Sequence, residues 1–206
     1  MKLKILKIIL LCLIAAILVV GVLIIIQYGS MFKNNRAVKD AMDSITQQFD
    51  NAVNNTNSNT NAGSGAPVTV EATYKGYNVV GIIEIPKINL KYPVLDTTNQ
   101  TTLGLSITKF WGDSLNEIGN VVLAGHNYIN NIFFGGLKKL QVGDIIYITD
   151  TQGIKIEYKV YKTFVIDPDD ISVIKPDQAG DRELTLLTCT NGRANRLVVK
   201  AREVNV

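Results

Sequence analysis

One thiol, one imidazole and one guanidinium carry the chemistry this chain can offer. Cys189 is one of two cysteines and the only one outside an apolar N-terminal run, and His126 is the sole histidine. A thiol with a reference pKa near 8.5 is mostly protonated at neutral pH, so a nucleophilic cysteine needs a base or a positive charge beside it. His126 and Arg196 can supply these. Together the three suit acyl transfer, with Cys189 attacking a carbonyl, His126 moving protons to and from amines, and Arg196 stabilising the developing oxyanion. On residue types alone a structural alternative stays open, in which Cys189 fills a core position and His126 and Arg196 are ordinary surface groups.

The elements that must position these groups can be read from local pattern. Residues 183–199 form a strand ending on Cys189, a turn carrying Asn191-Gly192, and a second strand opening on Arg196. In that second strand Leu197, Val199 and Ala201 share one face, and Arg196, Lys200 and Arg202 share the other. The apolar set is expected on the core, leaving the cationic set toward solvent and Arg196 at the lip of a groove. Residues 120–125 are a short apolar strand that delivers His126 at its end. Residues 78–85 and 92–95 are strands joined through residues 86–89, and residues 97–112 hold a short helix and a strand. A helical turn with Phe133, Phe134 and Leu137 inward is expected within residues 131–140. Residues 145–148 and 154–160 form a hairpin, and residues 167–180 a loop. About eight short strands, one or two short helices and no βαβ alternation define an all-β barrel or sandwich spanning residues 68–206.

The rest of the chain is a tether. Residues 8–26 carry no charge, enough to cross a bilayer as a helix, and Lys2, Lys4 and Lys7 precede them. The run is longer than a signal-peptide core and no Ala-x-Ala-like site follows, so an uncleaved signal anchor over residues 8–28 is expected. Residues 1–7 then form a basic cytoplasmic tail, and the folded part lies outside the cell on the plasma membrane. Val38, Met42, Ile45, Phe49 and Val53 mark one face of an amphipathic juxtamembrane helix within residues 29–53. Residues 54–67, rich in Asn, Thr, Ser and Gly, read as a flexible linker. The formal net charge of +3 belongs to residues 1–67, because residues 68–206 hold 15 basic and 15 acidic groups. A nucleic-acid partner is therefore not expected.

Local sequence narrows the chemistry. The order His, Cys, Arg does not suit papain-like or NlpC/P60-like peptidases, where the cysteine comes first. The Thr185-Leu-Leu-Thr-Cys189 stretch resembles the Thr-Leu-X-Thr-Cys signature of sortases, the membrane-anchored cysteine transpeptidases of Gram-positive surfaces. Ile85-Pro-Lys-Ile-Asn89 before Tyr92-Pro-Val94 resembles early sortase strands. Asn120-Val-Val-Leu-Ala-Gly-His126 resembles the segment carrying the family histidine, and Arg196-Leu-Val-Val199 the arginine strand. The resemblance covers residues 78–204. It implies a closed β-barrel of about eight strands in which Cys189 attacks the Thr–Gly bond of a Leu-Pro-X-Thr-Gly-like sorting signal and forms a thioacyl enzyme. His126 would serve the leaving and incoming amines, and Arg196 the oxyanion, with Arg193 a second choice and Thr188 a further oxyanion or substrate contact. The partners implied are a secreted surface protein's sorting signal and a cell-wall precursor or pilin amine. A membrane-tethered, non-enzymatic β-domain acting as a binding or assembly module is the alternative.

An N-terminal anchor alone resembles class A, D or E members. The 167–183 connection is short for the helix of class B, and no lid of the class C kind is present. No cofactor is expected. Asp113, Glu117 and Asp169 are candidates for a Ca²⁺ site, since some class A members bind the ion between equivalent loops and oxygen ligands suit it. Solvated loop carboxylates are the preferred reading of these residues.

Overall fold

The computed structural model describes residues 7, 12–23, 43–45, 47–48, 51, 71–128 and 132–204. The chain divides into two compact units, Met1–Asp43 and Ser44–Val206. In the first, residues 12–23 are helical. No helix of the described residues is long and apolar enough to cross a membrane. The remaining residues of the expected 8–28 anchor lie outside the described residues, as does the 54–67 linker. Within the expected juxtamembrane helix, residues 43–45, 47–48 and 51 are helical, and Ile45 on the expected apolar face is buried.

The described residues of the second unit form nine strands: β1 Ala72–Tyr74, β2 Tyr77–Ile85, β3 Leu90–Leu95, β4 Ile107–Trp111, β5 Gly119–Ala124, β6 Ile145–Asp150, β7 Lys155–Ile166, β8 Arg182–Thr190 and β9 Asn195–Glu203. They form one sheet in the order β1-β2-β3-β4-β5-β8-β9-β7-β6, and β2 also pairs with β6. That last pairing, from Gly81↔Asp150 to Glu84↔Tyr147, closes strands β2–β9 into an eight-stranded barrel. The ninth strand, β1, is a short hairpin extension on Tyr77–Val79, outside the closure. Closure removes the unpaired edges that an open sheet would expose. At the seam Gly81 is required, since a Cβ there would stand 2.4 Å from the Thr149 carbonyl oxygen.

The expected local elements are present. A helical turn, Gln100–Leu103, is capped by Asn99, whose side chain accepts from the backbone N–H groups of Thr101 and Thr102. The 86–89 junction is a 3₁₀ turn with Asn89 left-handed at φ 50°. Phe133, Phe134 and Leu137 are buried around a 3₁₀ helix, Phe134–Lys139. The hairpin of β6 and β7 has Ile148 facing Ile156.

The last strand departs from the expected two-faced pattern. Val199 and Ala201 enter the barrel core as anticipated, with Leu197 packed against it. The opposite face is also covered, because residues 167–181 fold over it as a strap. Val173 of the strap packs with Val198 and Ile166, and Leu187 joins them. Lys200, expected in solvent, is 2% exposed. Its ammonium donates to the Lys175 carbonyl at 3.1 Å and to the Asp177 carboxylate. Glu183, also buried, accepts from the backbone N–H groups of Asp177 and Gln178 and from Arg202 at 2.9 Å. The Lys200 partnership holds the Asp177 carboxyl below its ordinary range. Burial of Lys200 thus follows from a carboxylate and a carbonyl brought to it by the strap.

Removing one member of such a cluster strands the others. Glu183→Gln leaves Lys200 and Arg202 under-compensated in a dry site and is expected to cost about 3 kcal/mol. Urea unfolding of the full chain measures this; a midpoint equal to that of the unaltered protein contradicts the account.

Candidate active site

Three neighbouring strands stop at one end of the barrel, and their register decides what meets there. Strands β5 and β8 run parallel from Gly119↔Arg182 to Ala124↔Leu187. Strand β5 ends at Ala124, and His126 follows two residues beyond its last pair, at the end of the sheet where β8 reaches Cys189. Strands β8 and β9 are antiparallel, and Cys189 pairs directly with Arg196. Side chains of directly opposed residues share one face of a sheet with Cβ atoms about 5 Å apart. Three rows therefore cross the outer face of all three strands: Asn120, Glu183 and Arg202; Val122, Thr185 and Lys200; and Ala124, Leu187 and Val198; a fourth, Cys189 with Arg196, lies beyond the last paired residue of β5, where His126 follows Ala124 by two positions.

While Ala124 and Leu187 face the cavity over the fourth row, the strap covers the first two rows and the Val198 side of the third. Asn120 holds it there, donating to the carbonyls of Val173 at 2.8 Å and Ile174 at 3.1 Å while accepting from the Thr185 hydroxyl. Over the fourth row lies a cavity of about 710 Å³ lined by His126, Cys189, Thr188, Arg193 and Arg196. Phe110, Leu103, Leu187 and Tyr128 supply apolar wall, and Thr98, Gln100 and Asn127 supply polar wall. Five of the sequence-selected residues are thus brought together. Cys189 and His126 are both partly exposed, as a thiol and a base that meet a substrate must be.

Local packing fixes each group. Gly125, immediately before His126, must lack a side chain, since a Cβ would meet Ile107 Cδ1 at 2.6 Å and Phe134 Cδ2 at 2.9 Å. The His126 carbonyl accepts from the Phe134 N–H at 3.0 Å, and its ring stands 5.3 Å from the Tyr128 ring. Thr188, expected as an oxyanion or substrate contact, is among the residues lining the cavity. Its phase turns it inward, and its buried hydroxyl donates to the Gly125 carbonyl at 2.7 Å. The hydroxyl's one proton is committed to the residue preceding His126, so Thr188 positions the histidine strand. Asn127 was not singled out from sequence. Its amide donates to the Cys189 carbonyl at 2.9 Å, tying the two strand ends together beyond the ladder.

The two arginines differ in setting. Arg196 is anchored, its Nη1 donating to the carbonyls of Arg193 at 3.1 Å and Asn195 at 3.2 Å, which leaves Nε and Nη2 of the guanidinium for a ligand. Arg193 is exposed on the intervening turn, in left-handed backbone at φ 80°. Burial holds the His126 pKa below its ordinary value, and the positive charge of Arg193 lowers it further. The imidazole is then mainly neutral at pH 7 and able to accept a proton.

The candidate cation ligands are not gathered in this way. Asp113 and Glu117 line a separate cavity that Asp169 does not line. Among the described residues no group of three or more His, Cys, Asp or Glu side chains is placed to hold a metal ion.

A thiol, an imidazole and an anchored guanidinium line one cavity of an eight-stranded barrel, which brings together the groups that cysteine-based acyl transfer requires. The sortase domain family model matches residues 83–204. The chain is 36% identical over 119 residues to sortase A of Listeria monocytogenes, covering 57% of this chain and 52% of that protein. It is 32% identical over 145 residues to sortase D of Bacillus subtilis, covering 69% and 67%. A Clostridium perfringens sortase D5 transpeptidase superposes with a TM-score of 0.63 at 26% identity, over 82% of this chain and 98% of that one. The chain belongs to the sortase family. Its match spans about half the length of the sortase A relatives from L. monocytogenes and Bacillus anthracis.

A single histidine makes the electrostatics directly measurable. Titrating the His126 ring proton by NMR is expected to give a pKa below the ordinary 6.5. Arg193→Gln removes a positive charge that opposes protonation, so it raises that pKa, while burial keeps it below 6.5. An unchanged titration in the variant would show that Arg193 does not act on the imidazole.

Proposed function

We propose that this protein is a sortase-type cysteine transpeptidase. The observation that supports the reading is the one cavity lined by His126, Cys189 and Arg196, in which Cys189 and Arg196 are direct partners across the β8–β9 ladder. The substrate is a Leu-Pro-X-Thr-Gly-like sorting signal on a secreted surface protein, and the acceptor is a cell-wall precursor or pilin amine.

The steps follow from the groups. His126, neutral, takes the Cys189 proton as sulfur bonds to the threonine carbonyl carbon. The carbonyl oxygen becomes an oxyanion facing the free N–H groups of Arg196, whose anchored charge needs no reorganisation as the negative charge forms. The imidazolium gives its proton to the glycine nitrogen, the Thr–Gly bond breaks, and the glycine amine leaves. Acyl and sulfur remain joined as a thioester. An incoming amine attacks that thioester, His126 accepts its proton, and the thiolate leaves as the new amide closes. Thr188 and Asn127 act on neither bond. They hold the strand ends at the spacing these transfers need.

The chain's N-terminal segment completes the proposal. Residues 8–28 act as a single-pass plasma-membrane anchor with residues 1–7 in the cytoplasm and the barrel outside, where residues 29–67 give it reach. The uncharged run behind three lysines supports this orientation.

The full chain in detergent, incubated with sorting-signal peptides and an amine acceptor, is expected to yield a Cys189 acyl adduct and a ligated product by mass spectrometry. Cys189→Ala abolishes both. Arg196→Ala lowers kcat by about 10²–10³, the size of a lost oxyanion donor. Absence of any adduct with every peptide, alongside a folded barrel, would refute the assignment.

A further inference from the structure

The cavity over the fourth row is electrically one-sided. Among the described residues that line it are two arginines and a histidine, and none carries a carboxylate. Arg196 is accounted for by the oxyanion and is tied to the turn carbonyls. Arg193 is not. Its guanidinium is given no side-chain carboxylate partner by the ion pairs of the described residues. Its side chain lines the cavity together with His126 and Cys189.

The backbone at this position is also unusual. Asn191, Gly192 and Arg193 have φ of 50°, 63° and 80°. Glycine adopts such angles freely and asparagine tolerates them, whereas a long side chain at φ 80° is disfavoured. A residue held against local preference at the rim of a site points to a role for its side chain. The turn leaves directly from Thr190, next to Cys189, and Gly192 and Arg193 line the cavity beside that thiol.

We propose that Arg193 is a specificity residue that selects sorting signals with a carboxylate side chain at the variable position, directly before the cleaved threonine. This rests on the transpeptidase reading above and deepens it. Cys189 and Arg196 read the scissile carbonyl, which every signal has. Arg193 reads the neighbouring side chain, which differs between signals. Its contact stays open to water, so discrimination is modest, about fivefold in kcat/KM between a glutamate and a glutamine peptide. An exposed guanidinium opposite a carboxylate forms a two-pronged contact that a neutral amide cannot match in charge.

The test uses the full chain in detergent with three peptides that differ only in Glu, Gln or Lys at the variable position. The unaltered protein is expected to favour Glu over Gln by about fivefold and to disfavour Lys. Arg193→Gln brings the Glu/Gln ratio to about one, and Arg193→Glu reverses the order of Glu and Lys. A purely structural or oxyanion role would lower all three rates together and leave the ratios alone. Equal acylation by Glu and Gln peptides, or a preference that survives Arg193→Gln, overturns the proposal while leaving the transpeptidase assignment intact. Failure of all three peptides to acylate Cys189 overturns both.

Discussion

The structure depends on the register in which β8 lies between β5 and β9. Side chains alternate faces along a strand, so a slip of one residue would turn Cys189 into the core and Thr188 out. The buried side chains of Leu184 and Leu186 on one face, and the Glu183 cluster on the other, make such a slip costly. Reactive geometry is thereby specified by groups that take no part in the reaction. Parallel pairing with β5 brings the histidine from some sixty residues earlier, and antiparallel pairing with β9 returns the arginine across a short turn.

The strap converts a sheet face into a site. Covering the first two rows and the Val198 side of the third gives the thiol a floor with an apolar wall, open on one side. Ionic groups anchor the strap at the first two rows, and Val173, Val198 and Leu187 form an apolar seal between that cluster and the cavity. Buried ion pairs gain little net stability against well-packed apolar groups, but a misplaced one is heavily penalised. The cluster therefore acts as a registration device, setting where residues 167–181 lie.

Most of the site was legible in sequence because it is carried by short, local signals. The β8 strand carries Cys189 one residue before its end and β5 stops two residues short of His126, and the chain offers no rival thiol outside the N-terminal run and no rival imidazole. Errors arose where one face was judged without its cover. Alternation in β9 assigned Lys200 to solvent, although the unbroken Leu197-Val198-Val199 run already had the character of a strand covered on both sides. What covers it comes from residues 167–181, whose prolines and aspartates look like loop. Thr188 and Asn127 act through hydrogen bonds to carbonyls 63 and 62 residues away in sequence, respectively, which no local pattern encodes. The eight-strand closure was anticipated, whereas β1 lay in a stretch with too few residues to show a period.

The central claim is that ladder register places the oxyanion opposite Arg196 and the departing amine at His126. A crystal structure with a sorting-signal peptide ending in threonine aldehyde, bound to Cys189 as a hemithioacetal, tests it most directly. The account predicts the hemithioacetal oxygen within about 3 Å of Arg196 Nε or Nη2, with the His126 ring on the leaving-group side. An adduct whose oxygen faces solvent, with Arg196 bonded only to the carbonyls of Arg193 and Asn195, would contradict it.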